Sequence, residues 1–233
     1  MLNIIYFGYD LFAPCLKELA ENPNVNILKV YSFEGDGIFE KNSEIKQICS
    51  VKSIPFTTNK IDVAELKRQF EQNGCDLAFC AGYAYRIPCE SVPSFRGVNI
   101  HPSLLPEGRG PWPFPHIILK GLQKSGVTAH KISEGFDEGD VLLQTEYAVS
   151  KTETYTSLEE KARSAALDLT KKLFSDFESY WEGAESQQAG EYWKEPDDSE
   201  RTIYKDTNES ERDKIIRAFT EDYVIFSDKN KGE

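Results

Sequence analysis

Short apolar runs recur through the first hundred residues, separated by segments with helical periodicity. Leu2 to Phe7 has the pattern of a strand buried in a parallel sheet, and Gly8 ends it. Asp10 is placed to cap a helix whose apolar face is Leu11, Phe12, Cys15, Leu16 and Leu19. Asn26 to Phe33 alternates as a second strand, Asn42 to Val51 reads as a helix, and Ile54-Pro55-Phe56 as a short extended piece. Ile61 to Phe70 carries Val63, Leu66 and Phe70 on one helical face, and Leu77 to Ala81 and Gly97 to His101 are two further buried strands. This alternation predicts an α/β fold, a Rossmann-like open, mostly parallel sheet flanked by helices. Ligands of such sheets bind beyond the carboxyl ends of the strands, where Gly82-Tyr83 and His101 fall.

The pattern changes at Gly126. Val127 to Ser133 and Val141 to Ala148 read as strands on either side of an acidic turn, Glu134 to Asp140. A long helix is expected from Thr156, with Thr156 and Glu159 in capping-box spacing. Leu158, Ala162, Ala165, Leu169, Leu173 and Phe177 then recur at helical spacing and are expected to cover the sheet. After Gly183 the chain becomes polar, with apolar islands at Tyr192-Trp193 and Ile203-Tyr204 and a short helix from Asn208 burying Ile215, Ile216 and Phe219. The expected organisation is a catalytic domain over 1–183 and a short C-terminal extension over 184–233, which packs on the core or makes a homodimer contact.

Composition narrows the classes. A hydrophobic share of 39% supports a packed globule, and a net charge of −12 without a Lys/Arg cluster argues against a nucleic-acid partner. Cys15, Cys49, Cys75, Cys80 and Cys89 form an odd set with no Cys-x-x-Cys pair. Buried, reduced thiols in a cytoplasmic protein are therefore expected, rather than zinc or disulfides. No signal-peptide pattern and no run of 18 apolar residues is present, so neither secretion nor a membrane partner is expected. A P-loop, a Gly-x-Gly-x-x-Gly turn and a Gly-x-Ser-x-Gly elbow are all missing.

The chemistry concentrates in Val98 to Gly110, VNIHPSLLPEGRG. Asn99 and His101 stand at i and i+2 of a strand, so an amide and an imidazole face the same side, just before Pro102 and Pro106 stop regular structure. That pair can stabilise a developing oxyanion and handle a proton. In the acidic turn, Glu134, Asp137, Glu138 and Asp140 lack the spacing of a calcium loop, so no metal is expected. One Asp that orients His101 and favours its charged form is the better reading. Arg109, between Gly108 and Gly110, suits phosphate recognition or a plain surface turn. Trp112 and Phe114 suit stacking on a base or burial under the loop.

NIHPSLLP, followed by GVTAHKISEGFDEGD at Gly126 to Asp140, resembles the folate-dependent formyltransferases, over roughly residues 1–180. That family includes the glycinamide ribonucleotide, methionyl-tRNA and sugar-nucleotide N-formyltransferases. The resemblance implies N10-formyltetrahydrofolate as co-substrate, no metal, and catalytic roles for Asn99, His101 and Asp137 rather than Asp140. It implies a pterin held by Tyr83, Tyr85, Arg86, Ile87 and Pro88 and by the chain at Ile132, Ser133 and Gly135. Asn99 and a protonated His101 would then donate to the oxyanion, while Asp137 keeps His101 charged and accepts the amine's proton.

Within the family, FGYDLFAP lacks the Gly/Ser-rich turn of the glycinamide ribonucleotide enzymes, and no room is expected after IIRAFTEDY for the C-terminal barrel of the methionyl-tRNA enzymes. The loop EGRGPWPFPH is similar to the sugar-nucleotide branch. The expected acceptor is the amine of a nucleotide-linked amino-deoxy sugar used in polysaccharide biosynthesis, a UDP-4-amino sugar of the pseudaminic acid type being the finer expectation. It would be bound by Glu107, Arg109, Gly110, Trp112 and Phe114. The alternatives are formylation of an aminoacyl-tRNA, of glycinamide ribonucleotide or of a carrier-bound amino acid, a formyl-folate hydrolase, and a non-catalytic folate or nucleotide-binding module.

Overall fold

β1 (Leu2–Gly8) lies inside a seven-stranded sheet and pairs in parallel with β2 (Val25–Tyr31) on one side and β4 (Leu77–Ala81) on the other. The computed structural model describes residues 1–37 and 41–232. β3 (Phe56–Thr57) closes one edge, and β5 (Gly97–His101) extends the parallel set beyond β4. β6 (Lys124–Lys131) and β7 (Val141–Ala148) complete the sheet as an antiparallel hairpin, giving the order β3-β2-β1-β4-β5-β6-β7. The chain leaves β1 first toward β2 and later returns to its other flank, which opens a crevice beyond Gly8 and Ala81.

The two faces of the sheet are covered unequally. α1 (Ala13–Glu21), α2 (Ser43–Lys52), α4 (Pro113–Leu119) and the long α5 (Tyr155–Ser175) build the larger core over Ile4, Tyr6, Phe79, Val98, Ile100 and Val127. The opposite face presents Ile5, Phe7, Tyr31, Ala78 and Cys80 to α3 (Val63–Lys67) and its π-helical continuation, Arg68–Gln72. The connection from β4 to β5 on this face holds no α-helix, only a single 3₁₀ turn at Cys89–Ser91. The odd residues of β5 therefore emerge where no helix covers them.

The main elements stand as expected, with local corrections. Asp10 does not cap the helix that follows it. A 3₁₀ turn spans Asp10–Phe12, and α1 starts without a side-chain cap. The Asp10 carboxylate instead accepts from the amides of Glu44 and Ile45, both at 3.0 Å, and so caps α2, a remote segment whose orphan N–H groups need an acceptor. α5 is capped by Thr154 and Ser157, not by Thr156 and Glu159, because the extended Thr154 bonds reciprocally with Ser157. Phe177 opens a separate helix, α6 (Phe177–Glu182). α4 was not legible, since its prolines mark a loop in sequence; they stand in its first turn, where no amide donor is required.

Beyond α6 the chain runs through β8 (Thr202–Ile203), α7 (Glu209–Phe219) and β9 (Ile225–Phe226). Trp193, Ile203, Ile215, Ala218 and Phe219 are buried in the larger core, whereas Ile216 and Tyr204 are only partly covered. All five cysteines are buried free thiols. Among the described residues no helix is long and apolar enough to cross a membrane. Asp10→Ala is expected to lower the unfolding free energy by about 1 kcal/mol in urea. Hydrogen exchange should quicken at the Glu44 and Ile45 amides and stay unchanged in α1; faster exchange in α1 alone would refute the remote cap.

Candidate active site

The pleat of β5 sends Val98 and Ile100 into the helix-covered core and turns Asn99 and His101 to the open face. In register beside Asn99 stand Cys80 on β4 and His130 on β6. Asp137 reaches the same spot from the turn after β6, with a left-handed backbone (φ 56°) that few non-glycine residues adopt. Three polar side chains from two strands thus meet at one carboxylate.

Asp137 Oδ1 lies 3.2 Å from Asn99 Nδ2, 3.5 Å from His101 Nδ1 and 3.4 Å from His130 Nε2, and its Oδ2 accepts from the Gly110 amide at 3.0 Å. Gly110 is required there: its φ is 113°, and a Cβ would collide with the Trp193 carbonyl. The hydrogen-bond network assigns the imidazole protons. His101 Nε2 is 2.7 Å from the Gly108 carbonyl and so carries the hydrogen, which leaves Nδ1 as the site that can gain a proton. His130 Nδ1 donates to the Lys131 carbonyl at 2.9 Å, and its Nε2 accepts from Asn99 at 3.0 Å. Both Asn99 amide hydrogens are therefore engaged, one by His130 and one by Asp137.

Burial alone would raise the proton affinity of Asp137, but His101, His130 and the Gly110 amide outweigh it and hold the carboxyl far below the usual range. His101 moves down as well. Its burial opposes charge more strongly than Asp137 and the Gly108 carbonyl favour it, and His130 adds to the opposition. The resting pair is thus an ionised Asp137 and a neutral His101. This corrects the expectation that Asp137 keeps His101 charged: the ring is only 5% exposed, so desolvation dominates. Burial also pushes the Cys80 thiol up to about 12, so it stays protonated beside Asp137.

These groups floor a cleft of about 450 Å³. Tyr83, Tyr85, Arg86, Ile87, Ile132, Ser133 and Gly135 line it, whereas Pro88 does not. The Tyr83 and Tyr85 rings meet edge to face at 5.4 Å, and Arg86 ties the two wall segments together by donating to the Glu134 carbonyl at 3.3 Å. An aromatic and main-chain slot of this kind suits a flat heteroaromatic ring.

Gly110 and Trp112 also line the cleft, but three expected acceptor-binding residues do not. Glu107 is exposed and contributes its carbonyl to Ser103. Arg109 is engaged by Gln187 Oε1 (2.9 and 3.2 Å) and the Gln188 carbonyl (3.0 Å), so its charge is turned to the extension rather than to a phosphate. Phe114 is 3% exposed, edge-on to Tyr155, because the unforeseen α4 carries it into the core. Asp140 turns away to Lys131 and Ser186.

Among the cleft residues that the sequence reading did not assign to the site are His130 and Tyr192. His130 could have been found from the alternation of Thr128 and His130 along β6. Tyr192, 51% exposed on the cleft wall, carries no signal beyond its aromatic island.

A profile of the family described as Formyl transferase matches residues 8–172. The chain is 34% identical over 182 residues to a methionyl-tRNA formyltransferase of Coprothermobacter proteolyticus, covering 74% of this chain and 59% of that protein. It thus spans about three fifths of the length of that curated relative. Among solved structures, a 4-N formyltransferase from Francisella tularensis aligns with a TM-score of 0.73 at 21% identity, over 94% of this chain and 88% of that one. An N-formyltransferase from Helicobacter canadensis in complex with folinic acid and dTDP-3-aminofucose aligns with a TM-score of 0.75 at 19% identity, over 97% and 84%. The two structures show that the fold is shared.

The neutral buried His101 makes stability depend on pH. Its folded midpoint lies below that of the unfolded chain, about 6.5, so the unfolded state takes up a proton first. The contribution is full above that value and is lost as pH falls toward the folded midpoint. Asp137 acts lower: its contribution is present above the ordinary carboxylate range and disappears as acid protonates it. Urea unfolding is expected to show a decline in stability from pH 7 to 5.5 that His101→Gln flattens. An unchanged slope in that variant would contradict a neutral resting ring.

Proposed function

The chain belongs to the formyl transferase family, and on that premise we propose that it transfers a formyl group from N10-formyltetrahydrofolate to the amine of a nucleotide-linked amino-deoxy sugar. One observation carries the reading. Two aromatic sets from different segments, Tyr83 with Tyr85 and Trp112 with Tyr192, line one cleft whose floor is Asn99, His101 and Asp137. The first set suits a pterin and the second a nucleobase, with the reacting groups between them over the polar floor. The dTDP-3-aminofucose bound by the Helicobacter canadensis protein supports the same acceptor class.

The donor supplies a formyl carbon activated on nitrogen. The neutral His101 receives at Nδ1 the proton that the attacking amine loses, and the ionised Asp137 3.5 Å away stabilises the resulting imidazolium. The imidazolium returns that proton to N10 as the formyl carbon–N10 bond breaks and tetrahydrofolate leaves. Asn99 releases one of its two resting partners and donates that hydrogen to the formyl oxygen as it gains negative charge. His130 stays beside Asn99 and fixes its amide orientation. The buried free thiols are consistent with a reducing, cytoplasmic setting.

A second reading, with an aminoacyl-tRNA as acceptor, is favoured by the name of the curated relative. The net charge of −12 weighs against it. The test is formamide formation from N10-formyltetrahydrofolate with a panel of UDP-, dTDP- and GDP-linked amino sugars, charged initiator tRNA, glycinamide ribonucleotide, and no acceptor. Product with a sugar nucleotide alone is expected; product only with tRNA, or donor loss without acceptor, would overturn the proposal. His101→Asn and Asp137→Asn are each expected to lower kcat by about 10²–10³ while the donor still binds.

A further inference from the structure

Gln187 lies outside the cleft, on the extended segment after α6, yet its side chain grips the turn that carries Asp137. Its Nε2 donates to the carbonyls of Asp137 (3.0 Å) and Gly139 (2.6 Å). Its Oε1 accepts from Arg109 Nε and Nη2, and Arg109 precedes the glycine whose amide holds Asp137 Oδ2. A closed ring of hydrogen bonds results, running from the Asp137 carboxylate through Gly110, Arg109 and Gln187 back to the Asp137 carbonyl. Only one orientation of the Gln187 amide satisfies this ring, because every partner of its nitrogen is a carbonyl and every partner of its oxygen is a guanidinium hydrogen.

The neighbouring backbone seats the same segment. Val141 and Glu185 exchange two backbone bonds at 2.7 and 2.9 Å, and the Trp193 amide donates to the Arg109 carbonyl at 2.7 Å. The segment therefore spans both loops that flank the site, and Gln187 alone bonds by its side chain to both. Asp137 needs such a restraint. A non-glycine residue at φ 56° is held in a sparsely populated conformation that surrounding contacts must enforce.

We propose that Gln187, oriented by Arg109, is a positioning residue that locks the turn at Asp137 and so fixes the carboxylate against His101. The inference rests on the formyl-transfer reading for its catalytic consequence, but its structural claim can be tested without any acceptor. The titratable groups facing the pair are His130 from β6 and Cys80 from β4, and neither touches Gln187. A relaxed turn would carry the carboxylate away from His101 and remove the interaction that favours the imidazolium.

The experiment follows the His101 imidazole by NMR titration in the unliganded protein, alongside steady-state kinetics. Gln187→Met keeps length and neutrality and removes every bond of the amide. It is expected to lower the His101 midpoint by about half a unit or more and to reduce kcat about tenfold, with KM for the donor little changed. In an Asp137→Asn background the same substitution should leave the titration unmoved, because the carboxylate that it positions is gone. Gln188→Met, at a residue that meets Arg109 through its carbonyl, serves as the control and should behave as the parent. A folded Gln187→Met protein with the parent midpoint, or a shift that persists without the Asp137 charge, would overturn the proposal. A shifted midpoint in a protein that formylates none of the acceptors would leave the clamp standing and count against the formyl-transfer reading alone.

Discussion

An ionised carboxylate withdrawn from water must be met by hydrogen bonds and by groups that can take up positive charge beside it, and the Asp137 carboxylate places that demand on the elements around it. β5 supplies an amide and an imidazole, β6 a second imidazole, and the loop after β5 an amide N–H. Each of these groups arrives from a segment fixed by the parallel sheet or by the chain that leaves it. The same carboxylate explains why His101 can be buried and still take up a proton: the opposite charge stands ready in a poorly solvated site.

The uneven covering of the sheet creates the place where this can happen. Helices seal one face, and Val98 and Ile100 vanish into it. On the other face the chain passes from β4 to β5 without an α-helix, so the alternate residues of β5 meet a cleft instead of a core. Loops then shape that cleft with aromatic rings from separate segments. The extension after α6 takes part in this architecture: Trp193 seals the core, Tyr192 lines the cleft, and Gln187 bonds to the backbone of the turn above the site.

Much was legible where the signal is local. The strands from Leu2 to Phe7, Leu77 to Ala81 and Gly97 to His101 show as short apolar runs, and the α5 stripe shows as a helical period. Caps were less legible, since an N-terminal acceptor can come from any segment that lies nearby. Asp10 caps a helix more than thirty residues away, and no spacing rule reaches that far. Phe114 and Arg109 failed for a related reason: glycines and prolines announced a ligand loop, while packing turned one residue inward and tied the other to the extension.

The sequence by itself determined the α/β alternation, the shared side of Asn99 and His101, and the presence of Asp137 in a glycine-bounded acidic turn, because each follows from the local periodicity or chemistry of the backbone. Tertiary structure alone decided that His130 joins the group, that His101 rests neutral, and that Gln187 and Tyr192 reach the site. Burial and long-range register set those outcomes. They depend on which segments the sheet brings within hydrogen-bond distance, a property of the whole fold rather than of any stretch of chain.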